Sequence, residues 1–587
     1  MTPPQTLAAL AEALARNDID SALALFTPDA FWRDLVAFTW NIHTAEGHQA
    51  IRAMLEATLA ETRPTDWTAE PNTGNAEQTW FHFETSTARG TGHLRLHDGK
   101  IKTILTAMQE LKGHEENQGF SRENGVQHGA TKSRRTWLDD RIQEAAELGI
   151  STQPFCLVVG GGQGGIGLGA RLRRLGVPSL IIDRHLKPGD AWRRRYKSLC
   201  LHDPVWYDHM PYLPFPAHWP IFAPKDKLGD WLEAYVSLLE LNYWPSTECS
   251  TARFDETNNE WIVELLRDGK PITLRPKHLV LATGMSGVPL IPTIPGAETF
   301  TGTQHHSSQH RDGKPYAGKR CVIIGSNNSA HDIAADLWEN DAQVTMVQRS
   351  STMVVRQETL RRLGSLGPYS EAAAQAGLTT DRADLTVAAT PHRLQPAAQI
   401  PITAQIQADD APFYESLRAA GFLLDFGDDN SGLGQKYLRR GSGYYIDVGA
   451  SALIADGSIR LEQGEVARIE PDAVILANGK AIPADLIVYA TGYGSMNGWA
   501  ARLISQDVAD RVGKCWGLGS NTTKDPGPWE GELRNMWKPT QQPNLWFHGG
   551  NLAQSRHYSR YLALQLKARL ENIPTPVYQL AESHHRE

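Results

Sequence analysis

Residues 155–184 read FCLVVGGGQGGIGLGARLRRLGVPSLIIDR and contain the pattern that decides the fold of the chain. An apolar run leads into Gly160, Gly162 and Gly165, which complete the spacing G-x-G-x-x-G before a segment of helical periodicity. The first glycine permits a tight turn, the second lets a pyrophosphate approach the backbone, and the third lets helix and strand pack closely. The pattern predicts a β-α-β unit that binds a dinucleotide, with the pyrophosphate at the N-terminus of the helix.

The strand that follows this helix ends in an acid. SLIID ends at Asp183, 23 residues after Gly160. A carboxylate at this position can accept hydrogen bonds from the 2′-hydroxyl of an adenine ribose. The first unit therefore suits an adenine dinucleotide whose ribose 2′-hydroxyl is free.

A second β-α-β unit is predicted further along the chain, although its fingerprint is degenerate. Residues 321–334 read CVIIGSNNSAHDIA, in which Gly325 ends an apolar run, while Asn327 and Ala330 replace the second and third glycines. Asparagine tolerates unusual backbone angles better than most residues and can donate a hydrogen bond, so this turn can still hold a pyrophosphate. The strand, turn, helix and second strand of this unit follow in the same order as in the first.

The end of the second strand distinguishes the two units. Arg349 follows AQVTMVQ at the place where the first unit has Asp183, and Ser350 stands beside it as a neutral donor. A guanidinium pairs with phosphate through a fork of donors, so this unit suits a dinucleotide that carries a 2′-phosphate. The sequence shows no acid at this strand end to repel phosphate, so we expect NADPH to be preferred and NADH to be accepted.

Two strand-and-turn segments follow the two units: LVLATG at 279–284 and LIVYATGY at 486–493. Such A-T-G turns are placed where a chain crosses between two nucleotide-binding domains. The second of them predicts that the C-terminal segment rejoins the first domain. Apolar strands that alternate with helical segments from Phe155 onward indicate parallel sheets.

The first part of the chain, about 115 residues, has a different plan. Helical spacing in TLAALAEALARNDIDSALALF precedes alternating stretches such as QTWFHFETSTARGTGHLRLHDGKIKTILTAMQEL, with a turn at Asp98-Gly99. Helices followed by an antiparallel sheet indicate an α+β domain. Trp32, Phe38 and Trp40 could line a pocket there, but most such residues are core. We favour a packing or dimerisation role for this domain over a second active site.

Composition and charge exclude several classes of protein. The 587-residue chain has a formal net charge of −8 and a pI near 6.2, so it carries no basic stripe for nucleic acid. No apolar run is long enough to span a bilayer, and the N-terminus lacks the pattern of a signal peptide. The five cysteines are dispersed without a C-x-x-C pair, which favours a reducing compartment and predicts no metal site. We therefore expect a cytoplasmic protein that acts on a small molecule, without nucleic-acid or membrane partners.

These signals predict an α/β protein with two Rossmann-like dinucleotide-binding domains, preceded by an α+β domain. The polar segment HEENQGFSRENGVQHGATKSRR is a linker by composition, and WLDDRIQEAAELG after it is predicted to form a helix. The predicted boundaries are 1–115 for the α+β domain, 116–152 for the linker and helix, 153–300 for the first part of the first dinucleotide-binding domain, 301–485 for the second such domain, and 486–587 for the C-terminal return to the first.

Over about residues 150–570 the sequence resembles the flavin-containing monooxygenases. Their identifying motif is F-x-G-x-x-x-H-x-x-x-(Y/F/W). The segment FTGTQHHSSQH supplies Phe300, Gly302 and His306 of that motif. His310 stands at the final aromatic position, which is a departure from the family pattern.

Further segments carry the resemblance toward the flavin. PGDAW, which ends at Trp192, is similar to the G-G-x-W segment that follows the first ribose acid in the family. YKSLCLHDPVWYDHMPYLPFP resembles the flavin-proximal stretch, with His202 where many members carry an asparagine. GGNLAQSRHYSRYLALQLKAR at 549–569 resembles the turn and closing helix that cap the flavin ring, and Asn551 is the expected contact.

The N-terminal block is similar to the cone-shaped α+β fold of the nuclear transport factor 2 (NTF2) and SnoaL-like group. This extension, together with His202 and His310, resembles the type II subgroup of flavin-containing monooxygenases. Members of that subgroup oxygenate ketones as Baeyer–Villiger catalysts, oxidise soft heteroatoms such as sulfur, and accept NADH as well as NADPH. The auxin-forming indole-pyruvate monooxygenases share the core motifs and remain an alternative.

The resemblance implies an enzyme that uses FAD, NADPH and O2. NADPH reduces the FAD, the reduced flavin and dioxygen form a flavin C4a-peroxide, and one oxygen atom is inserted into a small organic substrate. Water must be kept from that adduct, and bound NADP⁺ can close the pocket. The resemblance also implies that His306 helps to couple the domains and that His202 forms a hydrogen bond near the flavin N5.

The expected site therefore has two sets of residues. The expected catalytic residues are His202, Asn551 and His306. The expected cofactor-binding residues are Gly160, Gly162, Gln163, Gly165, Asp183, Arg184, Trp192, His202, Thr283, Gly284, Gly325, Asn327, Asn328, Ser329, Ala330, Arg349, Ser350, Thr491, Gly492 and Asn551.

Two other classes of protein stay in view. A pyridine nucleotide–disulfide oxidoreductase also has two nucleotide domains, but it needs a redox-active cysteine pair, which the sequence lacks. A non-catalytic flavin scaffold joined to an N-terminal binding module is the other, and the intact glycine fingerprint with Asp183 argues against it. The loops between Arg356 and Tyr445 match no pattern that names a substrate, so ketone and heteroatom oxidation both stay open. A homodimer is expected.

Overall fold

The computed structural model describes residues 1–71, 73, 75–285, 287–363 and 367–583. An α+β domain at the N-terminus is followed by two domains that are each built on a five-stranded parallel sheet. The last predicted segment, 486–587, includes residues 584–587, which lie outside the described residues.

The N-terminal domain is a curved sheet covered by helices. Its elements are α1 (Pro3–Ala15), α2 (Ile19–Ala24), β1 (Phe26–Leu35), β2 (Ile42–Glu46), α3 (Gly47–Thr62), β3 (Thr65–Ala69), β4 (Gln78–Glu84), β5 (Ala88–His97) and β6 (Lys100–Leu111). The sheet has the order β2-β1-β6-β5-β4-β3, and only the β1–β6 pair is parallel. Thr2 caps α1 by accepting a hydrogen bond from the backbone N–H of Gln5, and Pro3 begins the helix.

Aromatic rings fill the inside of this domain. The Trp32 ring lies 5.4 Å from that of Phe38, and the Phe38 ring lies 6.0 Å from that of Phe83. A Cβ on Gly92 would lie 2.1 Å from the Phe81 ring, so the glycine gives that ring its room. Edge-on and tilted aromatic pairs of this kind are typical of a packed core. The cone is therefore filled by its own side chains.

An exposed connection leads to the first dinucleotide-binding domain and contains α4 (Trp137–Glu147). The next elements are β7 (Cys156–Val159), α5 (Gln163–Arg174), β8 (Ser179–Ile182), α6 (Asp190–Arg193), α7 (Lys225–Leu238), β9 (Tyr243–Trp244), β10 (Thr247–Asp255), β11 (Glu260–Arg267), β12 (Lys270–Leu274) and β13 (His278–Leu281). Strands β10, β11 and β12 form an antiparallel meander beside the parallel sheet.

The second dinucleotide-binding domain begins with the segment that carries the family motif. Its elements are β14 (Thr303–His306), β15 (Arg320–Ile324), α8 (Asn328–Glu339), β16 (Gln343–Gln348), β17 (Met353–Arg356), α9 (Gln357–Arg362), α10 (Glu371–Gln375), α11 (Thr380–Ala388), α12 (Gln395–Asp409), α13 (Ala411–Ala419), α14 (Gly432–Arg440), β18 (Tyr444–Asp447), α15 (Ala450–Ala455), β19 (Arg460–Gln463), β20 (Val466–Glu470), β21 (Ala473–Leu476), β22 (Ala481–Pro483) and β23 (Leu486–Tyr489). Its parallel sheet has the order β14-β23-β15-β16-β19. That sheet runs to Tyr489, beyond the predicted boundary at 485.

The C-terminal segment returns to the first domain. It contains α16 (Asn497–Leu503), α17 (Gln506–Val512), β24 (Leu545–Phe547) and α18 (Leu552–Leu570). Strand β24 pairs in parallel with β13, which gives the first sheet the order β24-β13-β7-β8-β9. Helix α18 packs along α5. The return strand therefore completes the sheet whose carboxyl edge carries the first glycine turn.

Candidate functional site

The first glycine turn combines two glycines that the fold needs with one that it does not. Gly160 has φ +112°, and a Cβ on it would lie 2.4 Å from the carbonyl oxygen of Ala282. A Cβ on Gly165 would lie 1.9 Å from the carbonyl oxygen of Gly160. Around Gly162, by contrast, no atom lies within 4 Å of the Cβ position, and its φ is −80°. Gly162 therefore leaves open space at the N-terminus of α5, where a pyrophosphate fits.

Asp183 lies at the end of β8 with its carboxylate already oriented. One oxygen accepts the Gly161 N–H at 2.7 Å, and the other accepts the N–H and Nδ1 of His185 at 2.8 and 2.7 Å. Burial raises the pKa of Asp183, but the hydrogen bonds from His185 and Gly161 lower it to a net value below the usual one. This anion at a strand end fits a ribose hydroxyl. Its neighbour Arg184 is exposed.

The start of α5 and the start of α18 are joined by side chains. Gln163 Nε2 donates to the carbonyl of Gly550 at 3.4 Å, and Gln163 Oε1 accepts the Trp192 indole N–H at 3.2 Å. Asn551 is the N-cap of α18, and its Oδ1 accepts the Gln554 N–H at 2.8 Å. Three predicted flavin-site residues from distant parts of the sequence are thus brought together around two helix N-termini.

The turn after β13 contains a polar atom that the protein leaves without a partner. Thr283 Oγ1 is buried and has no hydrogen bond within the described part of the chain. Gly284, which follows, has φ +96°, a left-handed conformation that favours glycine. Other buried hydroxyls of the described residues also lack a partner, such as those of Ser451 and Ser555, but this one stands in the turn beside the first glycine turn and is free to bond a ligand there. With the space at Gly162 and the carboxylate of Asp183, it fits a dinucleotide such as FAD.

His202 is half-buried on the loop between α6 and α7. It lies near the carboxylates of Asp203 and Asp332, where its positive charge would lower their pKa values, although burial raises both. Asp332 belongs to α8 and accepts the Tyr196 hydroxyl at 2.5 Å. This loop of the first domain therefore lies against the helix that follows the second glycine turn.

The second glycine turn repeats the geometry of the first. Gly325 has φ +126°, and a Cβ on it would lie 2.3 Å from the carbonyl oxygen of Ala490. Asn327 has φ −96° and ψ −170°, close to the −80° and −170° of Gly162. Any residue adopts this extended backbone, so the expectation that asparagine serves unusual angles here is wrong. Ala330 is fully buried, so this turn packs its helix with a methyl group present.

The polar residues of this turn partly serve the protein itself. Asn327 Oδ1 accepts the Thr352 hydroxyl at 3.3 Å, and Asn328 Oδ1 accepts the backbone N–H of Ile446 at 3.0 Å. Ser329 is half-buried in the first turn of α8. The side-chain oxygens of the two asparagines thus fasten the turn, while their amide groups remain suited to donate to phosphate.

Arg349 and Ser350 are exposed beyond the end of β16, but the prediction that no acid stands there is wrong. Glu465, which follows β19, places its Oε1 3.8 Å from Arg349 NH1. Both side chains are about 70% exposed, 71% and 69%, so the pair is weak. The acid was missed because it comes from a neighbouring strand more than 100 residues along the chain.

His306 is bound to the second A-T-G turn. Its Nε2 donates to the carbonyl of Gly492 at 3.0 Å, and its Nδ1 accepts the Ser308 N–H at 3.2 Å. Thr491 in the same turn donates to the carbonyl of Leu290 at 2.5 Å. Burial lowers the pKa of His306, although its bond to Gly492 opposes the shift. A neutral His306 therefore ties the segment between the domains to the chain's return path.

The departure at the end of the family motif has its own partner. His310 is 1% exposed, and its Nε2 lies 2.9 Å from Asp336 Oδ2 on α8. The histidine therefore adds a buried polar contact to α8, while its ring still stacks on those of His305 and Tyr316.

Other kinds of site are not found in the described part of the chain. All five cysteines are free: Cys156, Cys249, Cys321 and Cys515 are buried, and Cys200 is exposed. No group of three or more metal-ligating side chains occurs among the described residues. No described helix is long and apolar enough to cross a membrane. A groove of about 490 Å³ lined by Arg173 and Asn242 lies at the amino edge of the first sheet, away from the glycine turn.

Comparisons with known proteins agree with this geometry. Residues 157–414 match the family model described as pyridine nucleotide-disulphide oxidoreductase, and residues 7–104 match that of a SnoaL-like domain. Probable indole-3-pyruvate monooxygenase YUCCA9 of Arabidopsis thaliana is 26% identical over 343 residues, which cover 58% of this chain and 75% of that protein.

Two solved structures share the fold. A cyclohexanone monooxygenase bound to epsilon-caprolactone is 18% identical with a TM-score of 0.50, covering 71% of this chain and 88% of its own. The structure of OTEMO in complex with FAD and NADP is 17% identical with a TM-score of 0.50, covering 72% of this chain and 86% of its own. Together with the family models they confirm the predicted fold class.

Proposed function

We propose that this chain, a homologue of the flavin-containing monooxygenases, is an FAD-dependent enzyme that consumes NAD(P)H and inserts one oxygen atom from O2 into a small organic substrate. The family prediction made from its motifs is confirmed by the relatives. One observation carries the proposal: two glycine turns of matching backbone geometry, Gly162 and Asn327, each begin a helix at the carboxyl edge of its own parallel sheet. Ligands of such sheets bind at that edge.

The first turn would hold the FAD. The open space at Gly162 admits the pyrophosphate, Asp183 accepts from the ribose, and the free hydroxyl of Thr283 gains a partner. Asn551 and Gln163 lie at the helix ends that face the same site. FAD supplies the transfer of electrons from NADPH to O2, and the residues of the chain bind it, orient it and exclude water.

The second turn would hold the nicotinamide dinucleotide. Asn327 leaves an extended backbone for the pyrophosphate, and Arg349 is exposed and ready to pair with a 2′-phosphate. Glu465 beside Arg349 repels a 2′-phosphate and so reduces the binding energy that NADPH gains from the arginine. NADH has no such phosphate, so it is accepted as well. His306 stays neutral and fixes the segment between the two domains, which is a coupling role rather than a chemical one.

The substrate is a small ketone or a soft heteroatom compound. The names of the relatives favour a second candidate, an indole-3-pyruvate-type oxidative decarboxylation. A panel of ketones, sulfides, amines and 2-oxo acids distinguishes the two, with NADPH consumption followed by absorbance and products by mass under ¹⁸O₂. A product that carries one ¹⁸O atom per NADPH supports monooxygenation. A protein purified without FAD, or NADPH oxidation that labels no product across the panel, would contradict it.

The N-terminal domain has a packing role. Trp32, Phe38 and neighbouring rings pack against one another inside it, which supports a packing role over a second active site. Arg33 extends from β1 into the enzyme and is 1% exposed. It forms two bonds of 2.7 Å to Glu532 and donates to the carbonyl of Ala388 at 2.8 Å. One buried arginine thus joins three parts of the chain.

A second set of contacts fastens the same region. Arg382 on α11 donates to both oxygens of Glu70 at 2.9 and 2.8 Å and lies 4.2 Å from the Trp80 ring. We infer that the N-terminal domain clamps α11 onto the first dinucleotide-binding domain.

We also propose that the protein is cytosolic, since its five free thiols suit a reducing compartment. We propose in addition that it forms a homodimer, and sedimentation of the purified protein tests the dimer.

A further inference from the structure

The insertion between β17 and β18, which the sequence left unassigned, reaches the flavin site through one side chain. Tyr437 on α14 donates its hydroxyl to Gln554 Oε1 at 2.6 Å and accepts the Asn551 N–H at 3.1 Å. The same oxygen lies 3.5 Å from the sulfur of Met285, which follows the first A-T-G turn. Tyr437 therefore touches two segments of the first domain that belong to the flavin site.

The position of this tyrosine is fixed on both sides. The Trp516 indole N–H donates to the Tyr437 carbonyl at 2.8 Å, and the two rings meet edge to face at 5.3 Å. On α14, Arg439 is ion-paired with Asp429 at 2.7 Å. The helix is thus held within its own domain by Arg439 and against the return segment of the first domain by Trp516, while the hydroxyl of its tyrosine is bound at α18.

The surroundings keep the phenol protonated and able to donate. Burial raises the pKa of Tyr437 well above its usual range, and the nearby Tyr444, Asp203 and Asp208 raise it further. Asp203 and Asp208 come from the loop that carries the predicted flavin-proximal histidine. Tyr437 therefore lies where three segments of the first domain meet: that loop, the turn at Met285 and the N-terminus of α18.

We propose that Tyr437 is a positioning residue of the flavin site, contributed by the second dinucleotide-binding domain, which ties α14 to the N-terminus of α18 and so keeps the site closed to water. This inference rests on the proposed function. In a closed site the oxygen atom reaches the substrate. In an open one the electrons are lost to peroxide, by NADPH + H⁺ + O2 → NADP⁺ + H2O2.

The test compares Tyr437→Phe with Tyr414→Phe. Tyr414 is a buried tyrosine of the same insertion whose hydroxyl donates to the Val354 carbonyl at 3.0 Å, a bond within the second domain. Both variants lose one buried hydroxyl. We expect Tyr437→Phe alone to raise the H2O2 released per NADPH by about 2–10-fold, the range of one lost hydrogen bond.

A second measurement does not depend on turnover. Because the Asn551 amide is held by Tyr437 and Gln554, its hydrogen exchange in the FAD-free protein should quicken about 2–10-fold in Tyr437→Phe and not in Tyr414→Phe. Equal peroxide release by the two variants, or unchanged exchange at Asn551, would overturn the inference. If wild type neither binds FAD nor oxidises NADPH, the proposed function fails. The hydrogen exchange of the Asn551 amide would still test its contact with Tyr437.

Discussion

Gly162→Ala and Gly165→Ala should have different effects, one on ligand binding and the other on folding stability, although the two glycines are three residues apart in one fingerprint. A Cβ at Gly162 meets no atom within 4 Å, and the backbone there, φ −80° and ψ −170°, is open to any residue. A Cβ at Gly165 would lie 1.9 Å from the Gly160 carbonyl oxygen, closer than side chains tolerate. Gly162→Ala should therefore act on the ligand, and Gly165→Ala on the fold.

The expected magnitudes follow from these surroundings. Gly162→Ala loses about 0.5–1 kcal/mol as an N-cap and regains about 0.4–1 kcal/mol by restricting the unfolded chain, so its apo stability stays within about 1 kcal/mol of wild type. Its methyl group lies where the pyrophosphate approaches, and one or two lost charge-assisted bonds of about 1.5–3 kcal/mol weaken FAD at least 10-fold. Gly165→Ala must displace backbone, which costs about 1–3 kcal/mol or more without any ligand.

The assay is thermal unfolding of the FAD-free proteins and again with a series of FAD concentrations. Wild type should gain stability with FAD by mass action, and Gly162→Ala should start near wild type but need at least 10-fold more FAD for the same gain. Gly165→Ala should already be destabilised without FAD. If Gly162→Ala binds FAD as tightly as wild type, the space at Gly162 is not where the pyrophosphate lies, and the placement of the first site is wrong.

Three further outcomes are expected. Arg349→Ala should weaken the binding of NADPH by about 10–150-fold and leave that of NADH nearly unchanged, whereas Glu465→Gln should strengthen the binding of NADPH. Steady-state constants for both cofactors test this prediction. Equal losses for NADH and NADPH would show that the arginine does not recognise the phosphate. His331 is buried against Tyr445, and burial lowers its pKa to about 4. Its contribution to stability is therefore complete above about pH 6.5 and is lost, by up to about 3 kcal/mol, as the pH falls toward 4. His331→Phe should make the denaturation midpoint depend less steeply on pH over that range, and an unchanged dependence would contradict the pKa shift. Arg33→Met should destabilise the protein by about 3–5 kcal/mol because Glu532 then stays buried without its arginine. Adding Glu532→Gln should recover much of that loss. If Arg33→Met alone is as stable as wild type in urea, this ion pair does not hold the domains together.

The sequence by itself determined the two glycine turns and the classes of ligand they suit. Gly160 and Gly325 have the positive φ that their positions predict, and Asp183 ends its strand with a carboxylate fixed by the turn beside it. The glycine spacing and the acid lie within about 30 residues of each other, so a single stretch of sequence contains the pattern, although the carbonyls that exclude a Cβ at Gly160 and Gly325 come from the distant Ala282 and Ala490. The same locality explains why the α+β plan of the first domain could be predicted from periodicity alone.

Tertiary structure decided which residues face those turns. Glu465 reaches Arg349, Tyr437 reaches Asn551, and Arg33 reaches Glu532, each pair more than 100 residues apart in the sequence. No local pattern marks these partners, because each is selected by how sheets, insertion and return segment pack together. The backbone at Asn327 shows the same division. Its residue departs from the glycine fingerprint, but its conformation does not, because the backbone there is extended and any residue adopts it.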